Sequence, residues 1–180
     1  MRKILFTIWM ILVAFLTAKA QGEVETPKAE LFGGYSYAGE ATHGWNVSVA
    51  GNVNRWLGLV ADVSGQRTSL ERDGVSERIR THSFLFGPRF SVRRKGRVTP
   101  FVHALFGAAH TDSRATESGL SFHFTDTSFA SALGGGLDVR VSPRVAVRAF
   151  QAEYVRTQLF GGTQNKGRIA FGVVFRLGKK

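Results

Sequence analysis

The sequence predicts an all-β protein, an eight-stranded antiparallel up-and-down transmembrane β-barrel, and three observations predict it. Eight segments of about ten residues alternate with the period of two that marks a β-strand, and no helical period interrupts them. In most segments one parity is apolar and the other is small or charged. The connections alternate between tight turns and longer loops, as the two rims of a membrane barrel require.

The first twenty residues differ in kind from the rest and indicate a secretory signal peptide. Arg2 and Lys3 precede an apolar run over 4–16, and Ala18-Lys19-Ala20 forms a small-residue cleavage site. The alternative, an N-terminal membrane anchor, is disfavoured because the run is shorter than a spanning helix. We therefore expect three parts: a signal peptide over 1–20, a periplasmic leader over 21–27, and the barrel domain over 28–180.

The charge balance narrows the range of partners. The chain carries a net charge of +11, and without Arg2, Lys3 and Lys19 it retains 21 basic and 13 acidic residues, or +8. For an exported basic protein, the phosphates of lipopolysaccharide and other anionic surfaces are the expected partners, and no nucleic-acid-binding motif is present. The absence of cysteine excludes disulfides and a lipid-anchored lipoprotein.

The predicted strands and connections follow in chain order. The strands cover about 28–38, 44–53, 57–67, 80–92, 98–110, 128–141, 145–157 and 167–177. The tight turns are 54–56, 93–97 and 142–144, and the loops are 39–43, 68–77, 111–127 and 158–166. The even strand number places both termini on the turn side, which we expect to be periplasmic.

The first three strands alternate cleanly. They contain A-E-L-F-G-G-Y-S-Y (29–37), W-N-V-S-V-A-G-N-V (45–53) and L-G-L-V-A-D-V-S (57–64), each with its large apolar residues on one parity. The two faces of such a strand lie in different environments, and the apolar face is the one that must be covered.

The fourth to seventh strands are less uniform. Aromatic alternation continues past Pro88 in the fourth, so we expect a bulge there, since proline cannot complete a ladder. The inward parity of the fifth and seventh strands stays open. In the seventh, placing Phe150 and Tyr154 outside also places Arg148 and Arg156 on the outer parity, near the strand ends, where arginine can reach a polar interface.

The last strand has the strongest pattern. In I-A-F-G-V-V-F-R-L (169–177) every residue of one parity is large and apolar, whereas the other parity is small or charged. A bilayer would cover that face, and closure of the barrel would leave no sheet edge unpaired. Glu30 on the first strand is the expected acidic partner of Arg168 and Arg176 across this closing seam.

These features resemble the small eight-stranded outer-membrane barrels, the OmpA-like and OmpX-like transmembrane domains. The resemblance covers about 28–177 and rests on the signal peptide, on residues 29–37, on G-G-G-L-D-V-R-V-S-P-R (134–144) and on the last strand. It implies an outer-membrane location and an assembly signal, read by the barrel-assembly machinery, in the last strand. The residues of this assembly signal that would face lipid are Gly172, Phe175 and Leu177. The chain departs from the family pattern at Ala170, where a polar residue is usual, and in the extension 178–180.

Charged residues on the inward parity predict a network of ion pairs that fills the lumen. Its expected members are Glu30, Asp62, Arg89, Asp138, Arg140, Glu153, Arg168 and Arg176. Buried charges require partners, and eight strands enclose little water, so we favour this network over an ion path. The five histidines lack the spacing of a zinc site, and His103 is expected to be a hydrogen-bonded lumen residue.

No catalytic residue, cofactor or metal site is predicted. His82 and Ser83 are adjacent, so a strand points them to opposite faces, and the H-x-S-N pattern of the barrel deacylases is absent. We expect a non-enzymatic, monomeric structural or surface-interaction protein that presents four extracellular loops, with a possible surface partner at 68–77, 111–127 and 158–166. The alternatives are a narrow pore for small ions, a lipid-modifying barrel enzyme, and a soluble lipocalin-type barrel. The small, sparsely charged inner parity disfavours the last.

Overall fold

The computed structural model describes residues 26–39, 42–72, 75–94, 96–117, 120–159 and 162–179. The predicted signal peptide and most of the predicted leader lie outside these ranges. Among the described residues no helix is long and apolar enough to cross a membrane.

Eight strands close into one barrel. In chain order they are β1 Ala29–Ala38, β2 Thr42–Asn52, β3 Leu57–Arg72, β4 Val75–Ser91, β5 Val98–Glu117, β6 Leu120–Arg140, β7 Val145–Leu159 and β8 Gly162–Leu177. Each strand pairs antiparallel with the next, and β8 pairs with β1 to close the sheet. The predicted fold class is therefore confirmed.

The tight turns lie where the sequence predicts them, at the end of the barrel that we call the turn side. Between β2 and β3 the side chain of Asn54 accepts hydrogen bonds from the backbone N–H groups of Trp56 (2.9 Å) and Leu57 (2.8 Å). Between β6 and β7 the Ser142 hydroxyl accepts one from Val145 N at 3.1 Å. Short polar side chains thus satisfy the backbone donors of these turns.

At the opposite end, the loop side, three of the predicted loops are mostly strand. β3 and β4 extend to Arg72 and Val75, β5 and β6 to Glu117 and Leu120, and β7 and β8 to Leu159 and Gly162. These segments were predicted as loops because polar and charged residues dominate them, as in T-D-S-R-A-T-E (111–117) and T-Q-N-K (163–166). The cross-strand pairing nevertheless continues to the ends of the strands.

Side chains alternate between lumen and outer face along every strand, and the apolar core lies inside. One cluster contains Val60, Leu85 and Leu105 with four alanines, and a second contains Phe32 and Val174 with two alanines. On β5 the odd-numbered residues point inward, among them Phe101, which is 4 % exposed. This settles the parity of the fifth strand.

The only register shift in the described ladders lies on β7, not at Pro88. Leu137 pairs with Phe150 and Asp138 with Arg148, so Ala149 is an extra residue, and the β8 ladder shifts at the same place. The bulge predicted at Pro88 is therefore wrong. The β3 ladder runs through Pro88 in register, and the β4–β5 register is the same on either side of it.

Two glycines of β6 make room for larger lumen side chains. A Cβ on Gly134 would lie 2.6 Å from Cγ of Glu153, and one on Gly136 would lie 2.9 Å from Cζ of Phe101. Gly134 and Gly136 therefore line the lumen as small residues, and a side chain at either position would collide with its neighbours.

Candidate functional site

Large apolar side chains cover the outer face at mid-height on all eight strands. Phe86 is 58 % exposed and Leu133 is 64 % exposed. The belt includes Leu31, Val49, Leu59, Phe86, Phe106, Leu133, Phe150 and Phe171. Exposure of such an apolar surface to water would be unfavourable, whereas contact with the hydrocarbon of a bilayer removes it from water.

Aromatic residues border this belt at both ends. On the loop side they are Tyr35, Tyr37, Trp45, Phe129 and Tyr154, and on the turn side they are Trp56, Phe90 and Phe175. Trp56 stacks on Phe90 with ring centroids 5.9 Å apart. Such girdles mark the two membrane interfaces of transmembrane barrels.

The loop half of the lumen is closed by ion pairs around Arg168. Its Nε donates to Oε2 of Glu153 at 2.6 Å, and its Nη2 lies 3.4 Å from Oδ1 of Asp62. His103 Nε2 donates to the other oxygen of Glu153 at 2.8 Å, and Asn46 Nδ2 donates to both oxygens of Asp62. All five side chains are buried, so each charge is compensated where water is excluded.

The turn half contains a second set of ion pairs around Glu30. Arg89 and Arg93 both bind Oε2 of Glu30, the latter at 3.1 Å. Arg93 also donates to the Asn52 side chain at 3.0 Å and to the backbone carbonyl of Arg55 at 3.0 Å. Arg93 therefore fastens the β4–β5 turn into the barrel mouth.

Beside it, Arg148 lies between two aromatic rings. Its guanidinium carbon is 4.2 Å from the ring centroid of Phe32 and 4.4 Å from that of Phe101. Nε and Nη2 donate to the two oxygens of Asp138 at 2.8 and 3.1 Å, and Nη1 donates to Gln151 at 2.5 Å. Rings cover both faces of this guanidinium and hydrogen bonds occupy its edge, so these side chains fill part of the turn half of the lumen.

The structure places only some of the eight residues predicted for the lumen network where they were expected. Six of its eight members are buried inside: Glu30, Asp62, Arg89, Asp138, Glu153 and Arg168. Arg140 and Arg176 are half-buried at the turn-side mouth, where they line a cavity with Glu30. Glu30 forms ion pairs with Arg89 and Arg93, and Arg168 forms its own with Glu153 and Asp62, so the pair expected between Glu30 and Arg168 is not formed. Arg176 is the residue directly opposite Glu30 across the seam.

Two buried cations of the lumen, Arg148 and Arg93, were not among the eight residues predicted for the charge network. Arg148 was expected on the outer face, but the bulge at Ala149 reverses the parity, so both Arg148 and Gln151 point inward. Arg156 does lie outside. Arg93 belongs to a basic turn, and no sequence pattern distinguishes it there from its exposed neighbour Arg94.

A band of exposed cations lies on the outer face just beyond the loop-side aromatic border. We call it the basic rim, and it consists of Arg67, Arg78, Arg80 and Arg114. Arg67 is directly opposite Arg80 across β3 and β4, and Arg78 is directly opposite Arg114 across β4 and β5. Like charges in these positions repel each other, so an anion between them would be stabilising.

Asp112, which lies in this band on β5, is bound by histidines. His123 Nε2 donates to Oδ1 of Asp112 at 2.6 Å, and His110 lies 3.7 Å from Oδ2. The hydrogen bond from His123 lowers the pKa of the Asp112 carboxyl, which therefore stays ionised.

A polar cavity of about 220 Å³ opens above the loop-half ion pairs. Hydroxyl and amide side chains line it, including Thr81, Thr111 and Gln66, and Arg168 forms its floor. The cavity thus ends where the ion pairs around Arg168 close the lumen.

The structure brings together no catalytic or metal-binding constellation within the described ranges. His82 is exposed outside the barrel, and Ser83 is 7 % exposed inside it. No group of three or more histidine, aspartate or glutamate side chains there is placed to hold a metal ion.

The last strand forms the closing seam with β1. Phe175 and Leu177 are about half exposed on the outer face, opposite Leu31 and Ala29. Gly172 has the same parity as Ala170 and Val174, which are buried inside the barrel, so the prediction that Gly172 faces lipid is wrong. A Cβ on Gly172 would lie 2.5 Å from Cα of Gly34, so this seam requires a residue without a side chain.

Comparison with known proteins agrees with this architecture. Residues 7–176 match the family model described as outer membrane protein beta-barrel domain. A comparison with proteins of curated function finds no sequence match.

Solved structures of similar fold come from bacterial surface proteins. Ail, the attachment invasion locus protein of Yersinia pestis, is 19 % identical with a TM-score of 0.59, over 87 % of this chain and 100 % of that one. A second Ail structure, in complex with the heparin analogue sucrose octasulfate, is 20 % identical with a TM-score of 0.61 over the same shares. Neisserial surface protein A is 12 % identical with a TM-score of 0.60, over 83 % and 96 %. At these identities the likeness concerns the fold.

Proposed function

Because the chain belongs to the outer membrane protein β-barrel family, we propose that it is a non-enzymatic surface protein of a Gram-negative outer membrane. Its role is to contact anionic surface molecules through the loop side of the barrel. The protein's own membrane supplies the first of these, the phosphates of lipopolysaccharide.

The basic rim carries this proposal. Four arginines lie side by side on β3, β4 and β5, and the neighbouring Asp112 is bound by His123. They follow directly on the apolar belt, whose last members on this sector include Phe84, 57 % exposed. In an outer leaflet, the phosphates of lipid A occupy this level, and arginine binds phosphate through paired N–H donors.

The proposed orientation places the turns and both termini in the periplasm. Short turns at one rim and long hairpins at the other support it, as this is the usual arrangement of bacterial barrels. At the turn side, Thr26 and Lys179 line the same cavity, so the two described chain ends lie together. The extended hairpins would then project beyond the lipid headgroups.

The hairpins offer the site for a second surface partner. Their tips fall within the segments 68–77, 111–127 and 158–166. Ail, of similar fold, is known in complex with a sulfated heparin analogue. By analogy of fold alone, a polyanionic glycan of another cell surface is the class of partner we propose for them.

Binding of lipid A tests the role of the basic rim. We expect the purified barrel to bind vesicles of lipid A with two phosphates per molecule more tightly than vesicles of lipid A with one phosphate. The affinity should fall as the salt concentration rises. Arg67→Gln with Arg80→Gln should weaken binding about tenfold, because each lost charged contact is worth about 1.5–3 kcal/mol before solvent screening.

The matched control removes two charges from another sector of the loop side. Arg156→Gln with Lys166→Gln leaves the basic rim intact and should leave lipid A affinity within about twofold, since surface charges are screened over a Debye length of about 10 Å. Equal weakening by the two double variants would contradict a specific role for the basic rim.

A further inference from the structure

The turn-side mouth of the lumen contains a cavity lined by more cations than its acids can neutralise. It has a volume of about 20 Å³. Its charged lining comprises five arginines, Arg93, Arg94, Arg97, Arg140 and Arg176, and two acids, Glu30 and Asp138. The excess of three positive charges is concentrated in one small space.

Both acids are already engaged by buried arginines, one of which, Arg93, also lines the cavity. Glu30 accepts hydrogen bonds from Arg89 and Arg93, and both oxygens of Asp138 are held by Arg148. Neither carboxylate is therefore the principal counter-charge of the arginines nearer the mouth, Arg94, Arg97 and Arg140.

The surrounding surface strengthens this positive field. Lys28, Arg55, Arg144 and Lys179 are all exposed on the turn side. In the described turn-side segments 26–32, 50–60, 87–94, 96–102, 134–148 and 172–179, Glu30 and Asp138 are the only acidic residues. A concave site with charges of one sign and low-dielectric walls concentrates ions of the other sign.

We propose that this cavity binds an oxyanion, a phosphate or a carboxylate group, at the turn-side mouth of the barrel. The planar guanidinium matches both groups with paired donors. A volume of this size admits about one water-sized group. One or two oxygens of the anion therefore enter, and the remainder of the molecule stays outside, which suits the terminal group of a larger ligand as well as a small ion.

The alternative is a set of solvated rim arginines without a ligand. Convergence argues against it. Nη2 of Arg140 lies 3.5 Å from the carbonyl oxygen of Gly96, so its side chain reaches across to the β4–β5 turn, and its backbone N–H donates to Arg97 O at 2.7 Å. Independent solvated side chains would spread apart to reduce their repulsion.

Two sources could supply such an oxyanion: the headgroup of an anionic phospholipid, or a soluble ion. The barrel, purified in a non-ionic detergent, is titrated with inorganic phosphate at constant ionic strength, and the backbone amide signals of Gly96 and Thr99 are followed by NMR. A second arm adds short-chain phosphatidylglycerol, with phosphatidylcholine as the reference lipid. Saturable shifts with phosphate alone identify a soluble ion, and stronger shifts with phosphatidylglycerol identify a headgroup.

The variants separate this site from the general charge of the turn side. Arg97→Gln with Arg140→Gln removes two lining cations and should weaken phosphate binding at least tenfold. Arg55→Gln with Arg144→Gln removes the same charge outside the cavity and should change it less than twofold. Arg94→Gln, at an exposed lining position, replaces the first variant if that variant does not assemble.

Absence of saturable shifts in both arms would overturn the proposal, as would equal weakening by the cavity variant and its control. None of these outcomes depends on the basic rim or on lipid A, so this inference can fail while the proposed function stands.

Discussion

At the scale of single residues, two neighbouring glycines of β1 occupy opposite faces of the barrel wall: Gly34 faces the lumen and Gly33 faces outward. A Cβ on Gly34 would lie 2.5 Å from Cζ of Phe32 and would also overlap the carbonyl oxygen of Phe171, whereas one on Gly33 would meet nothing within 4 Å. We expect Gly34→Ala to lower the free energy of unfolding by about 1–3 kcal/mol through overpacking. Gly33→Ala should leave it unchanged or slightly raised. Urea unfolding in lipid vesicles, followed by tryptophan fluorescence, measures both, and equal midpoints would contradict the inward orientation of Gly34.

The lumen charges show what sequence alone can and cannot predict about residues. Alternation places Asp62, Glu153 and Arg168 inside, because their strands carry apolar residues on the opposite parity. Their partners were not predictable. Arg168 reaches Asp62 across 106 positions of sequence, through a lumen whose curvature no local pattern encodes.

Arg148 shows a second limit. The inserted residue of the bulge, Ala149, is an ordinary strand residue, so the alternation of β7 is continuous in the sequence although it reverses in the structure. A charge next to an undetected bulge is therefore assigned to the wrong face. The buried partner Asp138 is the one signal that favours the inward position, because an unpaired aspartate there would be costly.

At the scale of elements, the sequence predicts the turn-side ends of strands better than the loop-side ends. β5 was expected to end at 110 and β6 to begin at 128, whereas they extend to Glu117 and from Leu120. Within the bilayer, lipid on one side enforces alternation. Beyond the basic rim no lipid enforces the alternation, so polar stretches such as 111–117 do not reveal the strand, although its backbone pairing continues.

β8 carries the assembly prediction. Replacing Phe175 and Leu177 by aspartate should abolish insertion, because these outward residues are proposed to be read by the barrel-assembly machinery and to face lipid. The measurement is the amount of heat-modifiable barrel in the membrane fraction. Normal amounts would contradict both roles.

A matched double variant on other strands distinguishes loss of recognition by the assembly machinery from the energetic cost of placing charges in lipid. Phe90 and Val102 are directly opposite each other on β4 and β5 and are exposed on the same outer face toward the turn side. Phe90→Asp with Val102→Asp imposes a similar penalty and leaves β8 intact. We expect some assembled barrel from this variant, and an equally complete loss would contradict a specific signal in the last strand.

At the scale of the whole molecule, two layers close the lumen in series. The ion pairs around Arg168 close the loop half, beneath the polar cavity, and the layer of Arg148 between Phe32 and Phe101 closes the turn half. The sequence predicts a filled lumen from its charges, but Phe32 and Phe101 are apolar, so their part in closure follows only from the structure. This arrangement supports a closed barrel over a narrow pore.

Conductance in planar bilayers tests closure in series. We expect no regular current steps from the wild-type barrel, and none from Arg168→Ser with Glu153→Ser, because Arg148 and the two rings still block the turn half. Adding Phe32→Ser, Phe101→Ser and Arg148→Ser removes the second layer, and small-ion steps should then appear, provided that heat-modifiable migration shows an assembled barrel. Steps from the wild type would establish a pore. Steps from the loop-half variant alone would mean that the turn half does not close the lumen, since one intact layer across an eight-stranded barrel leaves no continuous path for water.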